Sequence, residues 1–482
     1  ILSYSDTNAK GEGISPAYLI GSIRSLYPKL EIEGGAGVRP HKNSINNYCY
    51  PENPEAGINL FLEKLVQETE KEHEDILEQA DETDAMFGEL YSWYLRNPEY
   101  RSRVQKLVQS AFAGKPEDII SQSVAKALYG EVSPYSATRL ERFAACAFAH
   151  FLQYGMKLTE RVEYEFKPMD MGNVMHEALE SFAEEVRKRG MKWTELTEQE
   201  RNEIADRCLD NIVADYGNTV LKSSARNEYM IERTRRILRR TVWALQKQLE
   251  QGEFQPEGFE VTFGGGRIDR VDIMEDQNKV YVKVIDYKTG NTSFDLVYLY
   301  HGLQLQLMIY LDGALRVEQK KYPDKEIIPA GVFYYNIKDP MIQEKIDADV
   351  EAVSAGLMKE LKMNGLVQAD PELVYRMDSS LGSIPVAFNK DGSFRKNSSV
   401  ADRTQFAVLG RYVRTKIEKI RSSILEGDAE VSPYELGKKN ACTYCPYMTV
   451  CGFDRRLSGY EFRRLKNFSD EELWKAFDRE AE

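Results

Sequence analysis

The sequence predicts an α/β protein, with α+β as the near variant, and three observations carry that expectation. Between 259 and 287 the apolar period is two. The segments 259–264, 267–275 and 279–287 alternate or run apolar, separated by Gly264-Gly265-Gly266 and Asp276-Gln277-Asn278, which describes a three-stranded meander. A helical pattern follows at about 296–314. A β-rich run then comes at Gly331-Val332-Phe333-Tyr334-Tyr335. Strands, helix and strand in that order describe a sheet core with a helix packed on it.

The remaining elements read in order. Residues 1–50 mix short strands with turn chemistry, such as Asn8-Ala9-Lys10-Gly11-Glu12-Gly13. From about 54 to 130 the pattern is helical and charged, with Leu60, Leu62, Leu65 and Val66, then Ile76, Leu77, Met86, Leu90 and Tyr94, at helical steps. Pro134, within 131–135, marks a boundary. A helix opens next with Thr138-x-x-Glu141, a capping-box pattern, and carries Leu140, Phe143, Ala144, Phe148 and Cys146. A helix at about 172–190 holds His176. A long basic one at about 226–250 holds Arg233, Arg235, Arg236, Arg239, Arg240 and Lys247. After the sheet, Asn389-Lys390-Asp391-Gly392 reads as a hairpin turn and 401–426 as a last long helix.

Length and composition bound the class. A chain of 482 residues exceeds one compact core, so two or three domains are expected. With 42% hydrophobic residues and 17 prolines it is neither disordered nor collagen-like. No apolar run is long enough to cross a membrane, and no secretory signal opens the chain. The apolar start at Ile1-Leu2 reads as a cut from a longer protein. A net charge of −13 argues against a general nucleic-acid coat and leaves room for a local basic channel. The basic helix, through Arg235, Arg236, Arg239 and Arg240, is a candidate DNA-backbone contact; its alternative is a solvated face.

Six cysteines are too sparse and uneven for a disulfide scaffold. Cys49 and Cys208 stand alone. Cys442-x2-Cys445-x5-Cys451 has the look of a metal or cluster site one ligand short, the fourth coming from elsewhere in the chain.

The chemistry concentrates in Gly266-Arg267-Ile268-Asp269 and Asp286-Tyr287-Lys288-Thr289. Asp286 and Lys288, two apart on a strand, point to one face. Taken alone, the pair is an ordinary ion pair at a strand edge. Asp269, across a hairpin, brings a second carboxylate, and two carboxylates with hard oxygen donors suit Mg²⁺. Lys288 would then orient or deprotonate a water. His176, in Gly172-x3-His176-x3-Glu180, is either a satisfied core residue or a third protein ligand. Gln306 and Tyr310, one helical turn apart, are either amphipathic packing or supports for Lys288 or a phosphate.

Taken in order, these motifs resemble the PD-(D/E)XK nuclease superfamily and its RecB-like branch. That branch carries a helical G-x3-H-x3-E, a G-x-I-D acid, D-Y-K-T and a following Q-x3-Y. The resemblance implies an α/β core with a mixed sheet flanked by helices. It implies His176, Asp269 and Asp286 as Mg²⁺ ligands, joined by the Tyr287 main-chain carbonyl, with Lys288 as catalytic lysine and Gln306 and Tyr310 in support. RecB-like nucleases that hold a [4Fe–4S] cluster pair one upstream cysteine with C-x2-C-x5-C, which implies Cys146, Cys442, Cys445 and Cys451 as ligands; zinc is the structural alternative. Ala147 stands where that group commonly has Pro, which bears on helix shape more than on ligation.

The opening, through Tyr4-Ser5, Thr7-Asn8, Gly11 and Ile14-Ser15-Pro16-Ala17-Tyr18-Leu19-Ile20, is similar to the end of the helicase-like core in AddB-type helicase–nuclease subunits. That likeness makes 1–130 the end of a mostly helical helicase-like region with a helical subdomain, and 131–482 the nuclease. It implies a bacterial cytoplasmic DNA exonuclease acting beside an AddA-like helicase–nuclease partner. No G-x4-G-K-[ST] loop occurs, so nothing in this chain is expected to hydrolyse ATP. Two alternatives stay open: a stand-alone iron–sulfur nuclease, and a catalytically silent DNA-binding scaffold.

Overall fold

A computed structural model describes residues 18–29, 53–70, 82–111, 119–130, 136–159, 168–215, 224–264, 266–342, 349–457 and 459–481. The opening motif up to Ala17, Cys49, Ile76, Leu77 and the 131–135 boundary lie outside the described residues; Tyr18-Leu19-Ile20 fall in the first described helix.

The chain divides into two compact units, 1–113 and 114–482. In the first lie α1 (Tyr18–Leu26), α2 (Pro54–Glu70), α3 (Glu82–Arg96) and α4 (Pro98–Ala111). Helices α2 to α4 close around Ile58, Phe61, Leu65, Tyr94 and Val104. Phe61 stacks on Phe87 at 4.7 Å, and the Tyr94 hydroxyl donates to the Pro54 carbonyl at 2.6 Å.

The second unit begins earlier than the expected boundary near 130. Helix α5 (Gln122–Tyr129) belongs to it because Ala125 and Tyr129 are buried in its core. Next come α6 (Ala137–Ala145) and α7 (Ala147–His150), then α8 (Pro168–Lys188), α9 (Glu198–Asp215) and α10 (Ala225–Glu250). The expected capping box does not form. Ser136 caps α6, accepting from the Arg139 N–H at 3.4 Å, and Glu141 turns elsewhere.

The strands β1 (Gln255–Phe263), β2 (Gly266–Asp276) and β3 (Lys279–Lys288) form the expected antiparallel meander. Strand β1 is irregular. Its register slips between Pro256 and Gly258, and Glu260 takes a left-handed backbone, φ 50°. The single helix expected at 296–314 is two, α11 (Leu296–Tyr300) and α12 (Gln306–Lys321). Gly302 sits in the break at φ 79°, where a side chain is strained and a Cβ would lie 3.2 Å from that of Ala144.

Strand β4 (Glu326–Asn336) returns parallel to β3. After α13 (Val350–Glu360), β5 (Asn364–Gln368) runs antiparallel to β4. After α14 (Pro371–Met377), the two-residue β6 (Val400–Ala401) runs parallel to β5. The sheet order is β1-β2-β3-β4-β5-β6, so it is mixed and β3 lies inside it. One face buries Phe182, Leu209, Leu245 and Tyr335 against α8 to α10; the other buries Leu307, Leu311, Leu409 and Phe477 against α12 and α15 (Arg403–Glu426). Beyond α15, the expected last helix, lie β7 (Tyr434–Leu436), β8 (Lys439–Asn440), α16 (Met448–Cys451), β9 (Arg463–Arg464) and α17 (Asp470–Ala481). The turn at 389–392 forms a small loop closed by a bridge between Phe388 and Phe394.

Candidate metal centre and cysteine cluster

The site forms where β3 leaves the sheet. Period two sends Asp286 and Lys288 to the α12 face and turns the Tyr287 ring to the α8 face. Lys288 Nζ lies 2.6 Å from Asp286 Oδ2 and donates to Gln306 Oε1 at 2.7 Å; Gln306 Nε2 donates to the Tyr310 hydroxyl at 2.9 Å. The ammonium also lies 5.3 Å from the centre of the Tyr334 ring. Gly266, at φ 149°, leaves room for the Tyr310 ring, which a Cβ there would meet at 3.5 Å.

The β2–β3 ladder runs up to Arg270 and Ile285, so Asp269 and Asp286 are the next residues on each strand. The Tyr287 N–H donates to Asp269 Oδ2 at 2.7 Å. From α8, His176 Nδ1 comes within 3.4 Å of the same oxygen, and its ring meets Tyr287 edge-on at 6.0 Å. Gly172, one turn before His176, faces Thr289; a Cβ there would lie 3.4 Å from the Thr289 hydroxyl.

Sequence reasoning passed over Glu260. In β1 it falls between Phe259 and Val261, whose partners Arg270 and Ile268 flank Asp269. Its carboxylate is buried, lies 3.9 Å from His176 Nδ1 and pairs with Arg267. The ligand atoms of His176, Glu260 and Asp269 all lie within 4.8 Å of one another. A sequence signal for Glu260 is lacking, because a left-handed residue interrupts the alternation that would place it.

The electrostatics are those of a site short of positive charge. Burial, then the charge of Asp269, pushes Asp286 up to about 7. The same two causes push Glu260 up to about 7, against the pull of Arg267 and His176. Burial pulls the His176 imidazole down, but the Asp269 hydrogen bond and the charges of Asp269, Asp286 and Glu260 outweigh it and leave it raised. Acids forced to keep protons at neutral pH, beside an imidazole, are a donor set that fits a hard divalent cation.

On the opposite face of β2 and β3 lies a buried ion network. Arg270 Nε donates to Asp272 Oδ1 at 2.6 Å, and Lys283 Nζ lies 3.0 Å from Asp272 Oδ2. Arg270 also stacks near Trp193 and Phe259.

Cys146, Cys442, Cys445 and Cys451 carry free thiols and line one small apolar cavity with Phe148, Val431, Tyr447 and Met448. Burial, then the charges of the other three cysteines, pushes the Cys442 thiol up to about 12. Four thiols in one apolar cavity, with no disulfide among the described residues, fit a soft metal or an iron–sulfur cluster. Cys208 lies apart in the core near Ser181.

Three of the four candidate DNA-binding arginines have carboxylate partners. Arg235 pairs with Asp210 and Glu232, Arg239 with Asp206, and Arg236 with Asp339; Arg240 stacks on Trp243 at 5.2 Å. Those partners offset much of the charge this face would offer a phosphate.

Residues 134–452 match the family model of the PD-(D/E)XK nuclease superfamily. The chain belongs to that superfamily. Over its full length it is also 38% identical to an ATP-dependent helicase/deoxyribonuclease subunit from Lachnoclostridium phytofermentans, covering 42% of that protein. It is 31% identical to the subunit of the same name from Thermoanaerobacter sp., covering 43%. The Clostridium acetobutylicum counterpart is 31% identical over 99% of this chain, which covers 43% of it. The chain thus spans less than half the length of these relatives. The mixed six-stranded sheet flanked by helices is the superfamily core the sequence predicts.

Proposed function

We propose that this chain is the Mg²⁺-dependent nuclease part of an AddB-type subunit, cutting DNA strands as an AddA-like partner unwinds a double-strand break for recombinational repair. The observation that carries the reading is the convergence of Asp269, Asp286 and His176 with the Lys288–Gln306–Tyr310 relay at one end of β3. The similarity to deoxyribonuclease subunits supports DNA as substrate and a helicase partner.

His176, Asp269, Asp286 and the Tyr287 carbonyl would hold the metal, with Glu260 beside them. A bound divalent cation supplies Lewis acidity toward a phosphodiester and lowers the pKa of water. The chain's own groups do the rest. Lys288, shared between Asp286 and Gln306, sits where it can orient the attacking water and offset charge building on the phosphate. The Asp269 carboxylate is fixed by the Tyr287 N–H, so the site keeps its shape as substrate enters. We further propose a [4Fe–4S] cluster on Cys146, Cys442, Cys445 and Cys451, supported by their shared cavity.

Cleavage of single-stranded DNA by the full-length subunit, assembled with a partner whose own nuclease is inactivated, tests this. Asp286→Ala and Lys288→Ala should each lower the Mg²⁺-dependent rate by roughly 10²–10³-fold or more, with the fold and visible absorbance unchanged. A wild-type complex that does not cut with Mg²⁺ supplied would leave the silent-scaffold reading standing instead.

A further inference from the structure

Helix α12 begins without a cap of its own. Its N-cap residue, Leu305, has no side chain to offer the exposed N–H groups. Both are satisfied by Glu141, from the middle of α6: one carboxylate oxygen accepts from the Leu305 N–H at 2.7 Å and from the Gln306 N–H at 2.9 Å. Gln306 is the first residue of α12, and its side chain receives Lys288 and holds Tyr310. A chain of direct contacts therefore runs from α6 to the ammonium of Lys288. Glu141 is half-buried, and desolvation pushes its carboxyl up to about 7 against those two N–H bonds and the charge of Lys288, so the group is costly where it stands.

We propose that Glu141 is a positioning residue for Lys288: its carboxylate fixes the first turn of α12 so that the Gln306 amide oxygen meets the lysine. This rests on the reading of Lys288 as the catalytic lysine. Without the cap the first turn of α12 frays, Gln306 loses its fixed direction, and Lys288 is left with Asp286 alone, without the second partner that orients its ammonium.

The test uses the full-length subunit with a partner whose own nuclease is inactivated, Mg²⁺ and single-stranded DNA. Glu141→Ala should lower kcat by roughly 10–100-fold, with KM, DNA affinity and the visible absorbance of the cysteine site as in wild type. Glu141→Gln keeps a carbonyl acceptor and should recover most of the rate. Glu141→Asp, one methylene short of both N–H groups, should lose rate while keeping the buried charge, and it serves if the alanine variant does not fold. In the double variant with Gln306→Ala the rate should fall no further than in the slower single variant, because both act through one path. Any one of three results overturns the inference: wild-type kcat in Glu141→Asp, multiplicative losses in the double variant, or parallel loss of DNA affinity and absorbance across the series. A wild-type complex that does not cut removes the nuclease reading, and this inference with it. A cutting wild type beside an indifferent Glu141 series removes this inference alone.

Discussion

Glu260 faces Asp269 across the edge of the sheet on a left-handed backbone that a side-chain-bearing residue adopts at a cost. Two crowded acids held at about 7, against ordinary values of 3.8 for Asp286 and 4.5 for Glu260, couple the site to pH. A carboxyl whose folded pKa is raised contributes stability that is full below its unfolded value and lost as pH rises through the folded one. The metal-free protein should therefore melt at a falling temperature from about pH 5 to about pH 8. A divalent cation replaces those protons, so its affinity should rise about tenfold per pH unit while one proton is displaced. Mg²⁺ should then raise the melting temperature more at about pH 8 than at about pH 6. Equal shifts at the two pH values would count against these acids as ligands. Asp269, Asp286 and Lys288 were legible in the sequence because a period of two fixes which face a strand residue takes. Glu260 was not, because its backbone breaks that period.

At the scale of elements, β2 and β3 carry Asp269 and Asp286, the acids proposed to hold the metal, on one side and Arg270, Asp272 and Lys283 on the other. Asp272 is fully buried between two cations, and their charges hold its carboxyl below the usual range despite burial. Asp272→Asn would leave two buried cations facing a neutral amide, which costs about 3–5 kcal/mol. Chemical denaturation should report that loss, and it should disturb metal binding as well, since the strand pair moves as a unit. Wild-type stability in this variant would show that the network is solvated. The three-stranded meander was readable from alternation. The break between α11 and α12 was not, since no proline marks it and apolar residues continue across 296–314; it is set by Gly302 packing on Ala144. The pairing of Glu141 with α12 was equally hidden, as it joins residues 164 and 165 positions apart.

At the scale of the whole chain, the cysteine site ties the start of the second unit to a segment near its end, Cys146 to Cys442, Cys445 and Cys451. Cys451→Ser should lose visible absorbance and solubility together, and leave the segment beyond α15 open to proteolysis. A colourless variant of normal stability would mean the thiols are not a structural anchor. The spacing of these cysteines was plain in the sequence, whereas the boundary between the units was not, because α5 is amphipathic and could pack on either side. The sheet's two margins have a further consequence. One is β1, kinked by its register slip and by Glu260; the other is β6, two residues long. Neither offers the flat ladder of free N–H and C=O groups that recruits a strand from another molecule. The irregularity that brings an acid to His176 thus also guards against aggregation, and regularising β1 would remove both at once.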